Sequence, residues 1–401
     1  MRTVIIGAGL AGCSVAWRLA GAGEVVLLEQ ALQPGAEASS QNAGMIRRLG
    51  EDPYERALAI RTAAFLTDPG EDWTGLTPSV VTGALLGLAH DPDHLSDAVA
   101  HLRASGITVE RLEDAAEVAP AMAGSRLIRS WYVPDERLAD AWQILSGLLR
   151  GIRRRGGVIR CGVSVQRIVT QGGAVVGVET SAGRIGADRV VLAAGAWSGQ
   201  LASALGLARP LIPLRRTLLH IPAHPLSRPE HPWCWIDDVG IYIRPESDGW
   251  LTSGCDEAVD PPSPGPGSQG PVESMPRALA MDKIARHFPA LGAVRLSTGW
   301  TGLRTFAPDR RPVLGADGEV AGLWWAAGLG GFGVTCGIAA GEAVAAWMQG
   351  QTIDWLDPEG VSPSRRYLSR WPIRPTGALS RPRLISGTDQ RLFAPGVGST
   401  V

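Results

Sequence analysis

Apolar and polar positions recur along the chain with two periods, and the changes of period mark the elements. Residues 3–6 form a short apolar run, 7–12 are glycine-rich, and 11–20 read as a helix before a second apolar run at 24–29. A polar, glycine-containing loop follows at 39–50, and 52–65 read as a helix with Pro53 suited to its first turn. The pattern predicts a strand over 80–90, an amphipathic helix over 92–105, a short helix over 113–119 that stops before Pro120, and a longer helix over 137–155 closed by Gly156-Gly157. Residues 158–168, 174–180 and 183–185 alternate like antiparallel strands, with Gly172-Gly173 at a hairpin turn. The apolar run 189–194, ending at Gly195, reads as a buried parallel strand. Strand-like segments at 210–221 and 239–253 are richer in polar residues and suit a second sheet. A Pro/Gly/Ser loop covers 261–271, helices are expected at 275–288 and 335–348, and strands at 294–302 and 322–327. Beyond about Trp355 a Pro- and Arg-rich tail reads as loose coil on the surface.

Length changes this picture only by suggesting two packed domains, since 401 residues exceed one small core. Apolar content of 45% and charged content of 19% exclude a disordered or fibrous chain. A formal net charge of -1 argues against a nucleic-acid footprint. No apolar run reaches the ~20 residues of a transmembrane helix. The first strand begins at once, so no signal peptide is expected ahead of it. The five cysteines, Cys13, Cys161, Cys234, Cys255 and Cys336, are odd in number and never in CxxC spacing. A reduced, cytoplasmic location with no cysteine metal site is the expectation, and each cysteine reads first as a small buried apolar residue. The histidines show no metal spacing, and Lys283 is the only lysine.

The chemistry starts at Gly7-Ala8-Gly9-Leu10-Ala11-Gly12, directly after a strand and before a helix. Gly7 permits the tight turn, Gly9 lets backbone approach a pyrophosphate, and Gly12 lets helix and strand pack closely. The helix N-terminus presents free N–H groups and a partial positive charge to the phosphates. Glu29, at the end of the second strand, is placed to accept from a ribose 2′-OH and disfavours a 2′-phosphate. A dinucleotide site follows from strand, turn, helix and terminal acid together.

Four further segments carry a resemblance. Gly299-Trp300-Thr301-Gly302-Leu303-Arg304 with Pro308-Asp309 and Pro312-Val313-Leu314-Gly315 resembles the "GLR…PD…PVIG" segment of the FAD-dependent D-amino-acid oxidase superfamily. Gly328-Leu329-Gly330-Gly331-Phe332-Gly333-Val334-Thr335 resembles its flavin-capping loop. Val190-Val191-Leu192-Ala193-Ala194-Gly195-Ala196-Trp197-Ser198 resembles its "VVxAAGAWS" strand, and Ser39-Ser40-Gln41-Asn42-Ala43-Gly44 its loop beneath the isoalloxazine. The likeness covers about residues 1–348 in order and is nearest to bacterial D-arginine and D-amino-acid dehydrogenases. It implies an α/β fold in which a Rossmann-type FAD-binding domain of the glutathione-reductase kind (1–80, 136–208 and 295–350) is interleaved with an α+β substrate domain built on an antiparallel sheet (81–135 and 209–294), followed by the tail 351–401. FAD is the implied cofactor, held non-covalently, because 302–304 lack the tethering cysteine of the sarcosine-oxidase branch. The implied cofactor residues are Gly7, Gly9, Leu10, Ala11, Gly12, Glu29, Gln30, Ser39, Ser40, Asn42, Ala43, Gly44, Val165, Ala194, Gly195, Trp197, Gly302, Arg304, Gly330, Gly331, Phe332, Gly333, Val334 and Thr335.

The same resemblance gives Arg304 the role of clamping a substrate carboxylate, for which a forked guanidinium suits. Tyr242 and Arg216 are implied pocket partners, with Arg215 the alternative to Arg216. Met45-Ile46-Arg47-Arg48 departs from D-arginine dehydrogenase, which carries histidine and tyrosine there. Arg47 or Arg48 in the pocket would repel a cationic side chain and favour a neutral or acidic one. The expected reaction is oxidation of a small amine or amino acid, with D-amino acids foremost. The electron acceptor would be a quinone, a carrier protein or O₂. A flavin-dependent 2-hydroxy-acid dehydrogenase and an FAD-bearing subunit of a multi-chain amine or opine dehydrogenase are the alternatives. Several oxidases of the superfamily place a lysine over the flavin; Lys283 is expected away from the ring, which points to a dehydrogenase.

Overall fold

Val4 to Ile6 and Val25 to Leu28 are apolar at successive positions, so their strands need cover on both faces. The computed structural model, which describes residues 1–267 and 270–366, supplies it. Strands Arg2–Ile6 and Glu24–Leu28 run parallel beside each other in a six-stranded sheet, between Arg189–Leu192 on one side and Val158–Arg160 on the other. Leu323–Ala327 extends the parallel run next to Arg189–Leu192, and Val313–Ala316 closes that edge antiparallel. One face is covered by helices Leu10–Leu19, Ala141–Arg154 and Gly333–Met348. The other is covered by a three-stranded antiparallel sheet, Val165–Gln171, Ala174–Thr180 and Gly183–Gly186.

The second large sheet has ten strands, antiparallel throughout except where Trp233–Ile236 lies parallel to Ala84–Leu88. Gly299–Phe306 is hydrogen-bonded into it beside Ile212–Ile221, which in turn pairs with Trp250–Ser253 and then Ile241–Pro245. Ile236, Ile241, Ile243 and Cys234 turn to one face, where helix Ser274–His287 seals them with Ala280 and Ile284. Strand periodicity sends Arg304, Arg216, Tyr242 and Trp235 to the opposite face, since Leu214 pairs with Arg304, Arg216 with Gly302, and Tyr242 with both Ser253 and Trp235.

The structure departs from the periodicity in instructive places. The segment expected as one helix over 137–155 is a strand, Arg137–Ala139, followed by helix Ala141–Arg154. Asp140 makes the break, its carboxylate accepting from the Trp142 and Gln143 N–H groups at 2.9 and 3.0 Å. The strand expected over 80–90 is two, Ser79–Val81 and Ala84–Leu88, parted at Gly83 with φ 74°. Strands Arg129–Val133 and Trp233–Ile236 were not anticipated. The stretch up to 366 is packed rather than loose. Leu356 and Val361 are buried, and Arg365 grips both oxygens of Asp309 at 2.7 and 2.8 Å. The remainder of the expected tail lies outside the described residues. Among those described, no helix is long and apolar enough to cross a membrane.

Candidate active site

The glycine turn is fixed by sterics. Gly7 has φ 102°, and a Cβ on it would overlap Ala193 O; a Cβ on Gly12 would overlap Gly7 O. At Gly9 a Cβ would come 3.0 Å from Ser39 Oγ, which accepts from the Leu10 N–H at 3.0 Å. Helix Leu10–Leu19 has no side-chain cap at Gly9, so this N-terminus offers backbone donors beside Ala11 and Gly12. Glu29 lies at the same turn, its two oxygens accepting from Ala8 N–H at 2.8 Å and Ala31 N–H at 2.9 Å. Burial pushes its carboxyl upward, partly offset by those backbone donors. Gln30 follows, half-buried, and Val163 N–H donates to Glu29 O, bringing the start of the strand headed by Val165 alongside. Ala194 and Gly195 leave the neighbouring strand next to Gly7.

A second helix start lies beside the first, the two helices running side by side in the same direction. Helix Gly333–Met348 begins at Phe332 without a side-chain cap and lies against Leu10–Leu19, with Gly337 under Leu10 and the Ser14 hydroxyl donating to Ile338 O at 2.8 Å. Val334 is buried, and the Thr335 hydroxyl donates to Met45 O at 3.0 Å. That bond ties the helix start to the loop carrying Asn42, Ala43 and Gly44. Asn42 braces the loop by donating to Ser39 O at 2.6 Å and accepting from Gly44 N–H at 2.7 Å. Gly302 faces Gln41, and Gly331 lies so near Arg304 that a Cβ would come 2.8 Å from its Nη1. Two side chains point elsewhere. Ser40, exposed, donates to the carbonyls of Ala36 and Glu37, and Trp197 donates to Ser263 O at 3.0 Å. The turn geometry leaves their backbone, rather than these polar atoms, near the cradle.

Beyond Gly331 the sheet face presents the charged end of the site. Arg304 donates to Glu257 Oε1 at 3.0 Å, Arg310 reaches the same oxygen at 2.8 Å, and Arg216 approaches it at 3.5 Å. Burial, with Arg216 close by, brings Arg304 down to about 10, so it stays charged at neutral pH. Burial raises the Glu257 carboxyl, but hydrogen bonds from Arg310 and the surrounding arginine charges outweigh it and bring it to about 2. Tyr242 is buried between these groups and Trp235, whose ring lies 4.9 Å away, and its phenol is pushed well above its ordinary value. Arg215, the alternative to Arg216, pairs instead with Glu273 at 2.8 Å and with Asp260.

The sequence model of the DAO family, described as FAD dependent oxidoreductase, matches residues 2–347. The chain belongs to this family of FAD-dependent oxidoreductases. It is 28% identical to a D-amino acid dehydrogenase of Cereibacter sphaeroides, covering 86% of this chain and 90% of that one. It is also 28% identical to a glycine oxidase of Pseudomonas aeruginosa, covering 91% and 99%. Among solved structures, L-proline dehydrogenase from P. horikoshii shares the fold with a TM-score of 0.80 at 21% identity, over 90% of this chain and 96% of that one.

FAD is therefore the cofactor, and the residues fit it. Two helix starts whose N-cap residues make no side-chain hydrogen bond, a glycine turn that a Cβ would fill, and a buried acid beside that turn would hold a dinucleotide. Around the flavoenzyme's pocket, the expectation for Arg47 and Arg48 needs correction. Arg47 is buried between the rings of Trp235 and Phe332, 4.7 and 4.8 Å from their centroids, but its charge is met by Asp237 at 2.6 Å, while Glu55, 3.5 Å away, is pushed up to about 8 by burial. Arg48 is held by Asp135 and Glu136. Neither offers an unbalanced charge to a substrate, because acids far off in sequence fold onto both. Glu51, His94 and Asp237 also gather there. Hydrogen bonds to Asp237 and Glu51 raise His94 to about 10, which makes it a cationic donor to both acids. Lys283 lies behind the sheet, donating to the carbonyls of Val239, Gly240 and Gly254 at 2.8 to 3.0 Å. Glu257, Arg310 and Trp235 escaped the reading of the sequence. Only Arg310 carried a signal, lying between Asp309 and Pro312 of a segment already singled out.

Proposed function

We propose that this flavoenzyme oxidises a small amino acid, a D-amino acid foremost, at the bond between Cα and nitrogen. The observation that carries the reading is the convergence of Arg304, Arg216 and Tyr242 on one sheet face, ending at the Gly331 loop beside the second helix start. The names of the relatives, D-amino acid dehydrogenase and glycine oxidase, support it. Arg304 and Arg216 would fork onto the substrate carboxylate, and the Tyr242 phenol, kept protonated by burial, would donate to the same group. Trp235 and Phe332 exclude water beside it. The ammonium gives up one proton before reaction, so that the nitrogen lone pair can form C=N as the Cα–H bond breaks. Bound FAD supplies the acceptor for that hydrogen and its electron pair. Water then hydrolyses the released imine to a 2-oxo acid and ammonia, and an external acceptor regenerates the oxidised flavin.

The test is anaerobic mixing of the FAD-loaded enzyme with D- and L-amino acids, glycine and 2-hydroxy acids while the flavin absorbance is followed. Bleaching by amino acids, with the 2-oxo acid recovered in equal amount, is the expected result. Bleaching by 2-hydroxy acids alone overturns the reading, as does a flavin that no amino acid reduces.

A further inference from the structure

Two non-glycine residues among those described have left-handed φ, Cys255 at 55° and Arg310 at 63°. Both lie at the carboxylate clamp, Cys255 two residues before Glu257 and Arg310 bonded to it. Side chains with a Cβ are disfavoured in that region, and such residues cluster at ligand clamps, where the surroundings hold them. What Arg310 gains is position. Its guanidinium stacks on Phe306, 4.2 Å from the ring centroid, and gives Glu257 two hydrogen bonds of 2.8 and 3.2 Å. Arg304 lies over the same ring at 5.1 Å. Glu257 Oε1 thus has the guanidinium groups of Arg216, Arg304 and Arg310 within 3.5 Å, which shows where a carboxylate can sit against all of them.

The charges there do not balance. Asp256 is turned to the Thr217 N–H and hydroxyl at 2.9 Å, Asp309 holds Arg365, and Asp52 holds Arg311. Glu257 alone faces the guanidinium cluster, and the Nε atoms of Arg216 and Arg304 are buried without an acceptor. Positive charge and donors exceed what one side-chain carboxylate satisfies. A single substrate carboxylate still leaves a surplus in a site where screening is weak, whereas a second removes it. A cationic side chain would be repelled.

We propose that the substrate is an amino acid carrying a second carboxylate, and that Arg310 is the residue that selects it. This rests on the amino-acid reading above. The α-carboxylate takes Arg304, Arg216 and Tyr242, and the second takes the exposed side of the Arg310 guanidinium, about a third of which is open to solvent, while Glu257 keeps its place among the three arginines.

The FAD-loaded enzyme is reduced anaerobically by aspartate, glutamate, asparagine and glutamine, each as both enantiomers. Acid and amide have nearly the same shape and differ in charge. For the preferred enantiomer, reduction efficiency with the acid is expected to exceed that with its amide at least tenfold. Arg310→Gly removes the guanidinium and relieves the left-handed backbone, so Tm should hold or rise while the acid-to-amide ratio falls towards one. Arg310→Lys should restore part of the ratio. The Kd of glutarate, an unreactive dicarboxylate read by its perturbation of the flavin spectrum, should rise tenfold or more in Arg310→Gly. Amides that match or beat the acids overturn the proposal and leave the amino-acid reading standing. An unchanged ratio in Arg310→Gly, with lowered Tm, makes Arg310 structural and overturns its role. A flavin that none of these compounds nor the wider amino-acid panel reduces overturns both readings.

Discussion

At the residue scale, Arg304 is the proposed clamp of the substrate carboxylate, and its surroundings say how the enzyme should respond to its loss. Glu257 keeps Arg310 and Arg216 when Arg304 is removed, so no buried carboxylate is stranded and the cradle stays intact. Arg304→Ala should therefore raise substrate KM by roughly 30-fold or more, the counterpart of about 2–5 kcal/mol for a truncated buried charge pair. The flavin spectrum should stay near that of the parent. Arg304→Lys should recover little, because a point charge cannot reproduce the fork. Steady-state kinetics beside absorbance spectra decide it, and a parental KM in the alanine variant would sink the assignment. The glycine turn was readable from the sequence because its constraint is local: Gly7 and Gly12 are held by contacts with the adjoining strand and with each other. Glu257 was not readable. It matters only because arginines at 216, 304 and 310 fold around it, and none of them is its sequence neighbour.

At the scale of elements, the successes and misses have a common cause. Helix Ser274–His287 and helix Gly333–Met348 fall within a residue or two of expectation, because each carries its own pattern. Trp233–Ile236 is four residues long, and its neighbours in the sheet come from 84–88 and 241–245, so its strand character is conferred by pairing rather than by periodicity. Residues 137–155 illustrate a stronger pattern masking a weaker one. The amphipathic helix dominates the window, and the three-residue strand before it reveals itself only through its partners, Met45–Ile46 and Ser79–Val81. The cap that starts the helix is Asp140, whose carboxylate accepts from the Trp142 and Gln143 N–H groups. Asp140→Ala should cost about 1 kcal/mol and lower Tm by roughly 2 °C. Asp140→Ser should lose less, since it keeps an acceptor. Equal losses in both would mean that the cap does not govern this helix start.

At the scale of the whole molecule, the arrangement of positive charge bears on the electron acceptor. A cation near reduced flavin favours oxygen by stabilising the superoxide formed in the first electron transfer. Lys283 is committed to backbone carbonyls behind the sheet, and Arg47 is paired with the buried Asp237. Arg304 and Arg216 would be covered by the carboxylate of the bound imino product. Flavin reduced by substrate should hence reoxidise slowly in air-saturated buffer and fast with a quinone or dye. Rapid reoxidation with stoichiometric peroxide would make this an oxidase.

The cofactor cradle draws on both ends of the described chain, since the helix that follows Gly7 to Gly9 packs directly on the start of Gly333–Met348. During synthesis, at about 5–20 residues per second, the first half of the cradle waits roughly tens of seconds for the second to emerge. Until residues 158–160 and 189–192 have emerged, the two opening strands have only each other as parallel neighbours. A nascent chain of this design is exposed to wrong pairings and to chaperone capture until those central strands emerge, and both halves of the cradle are present only once Gly333–Met348 arrives.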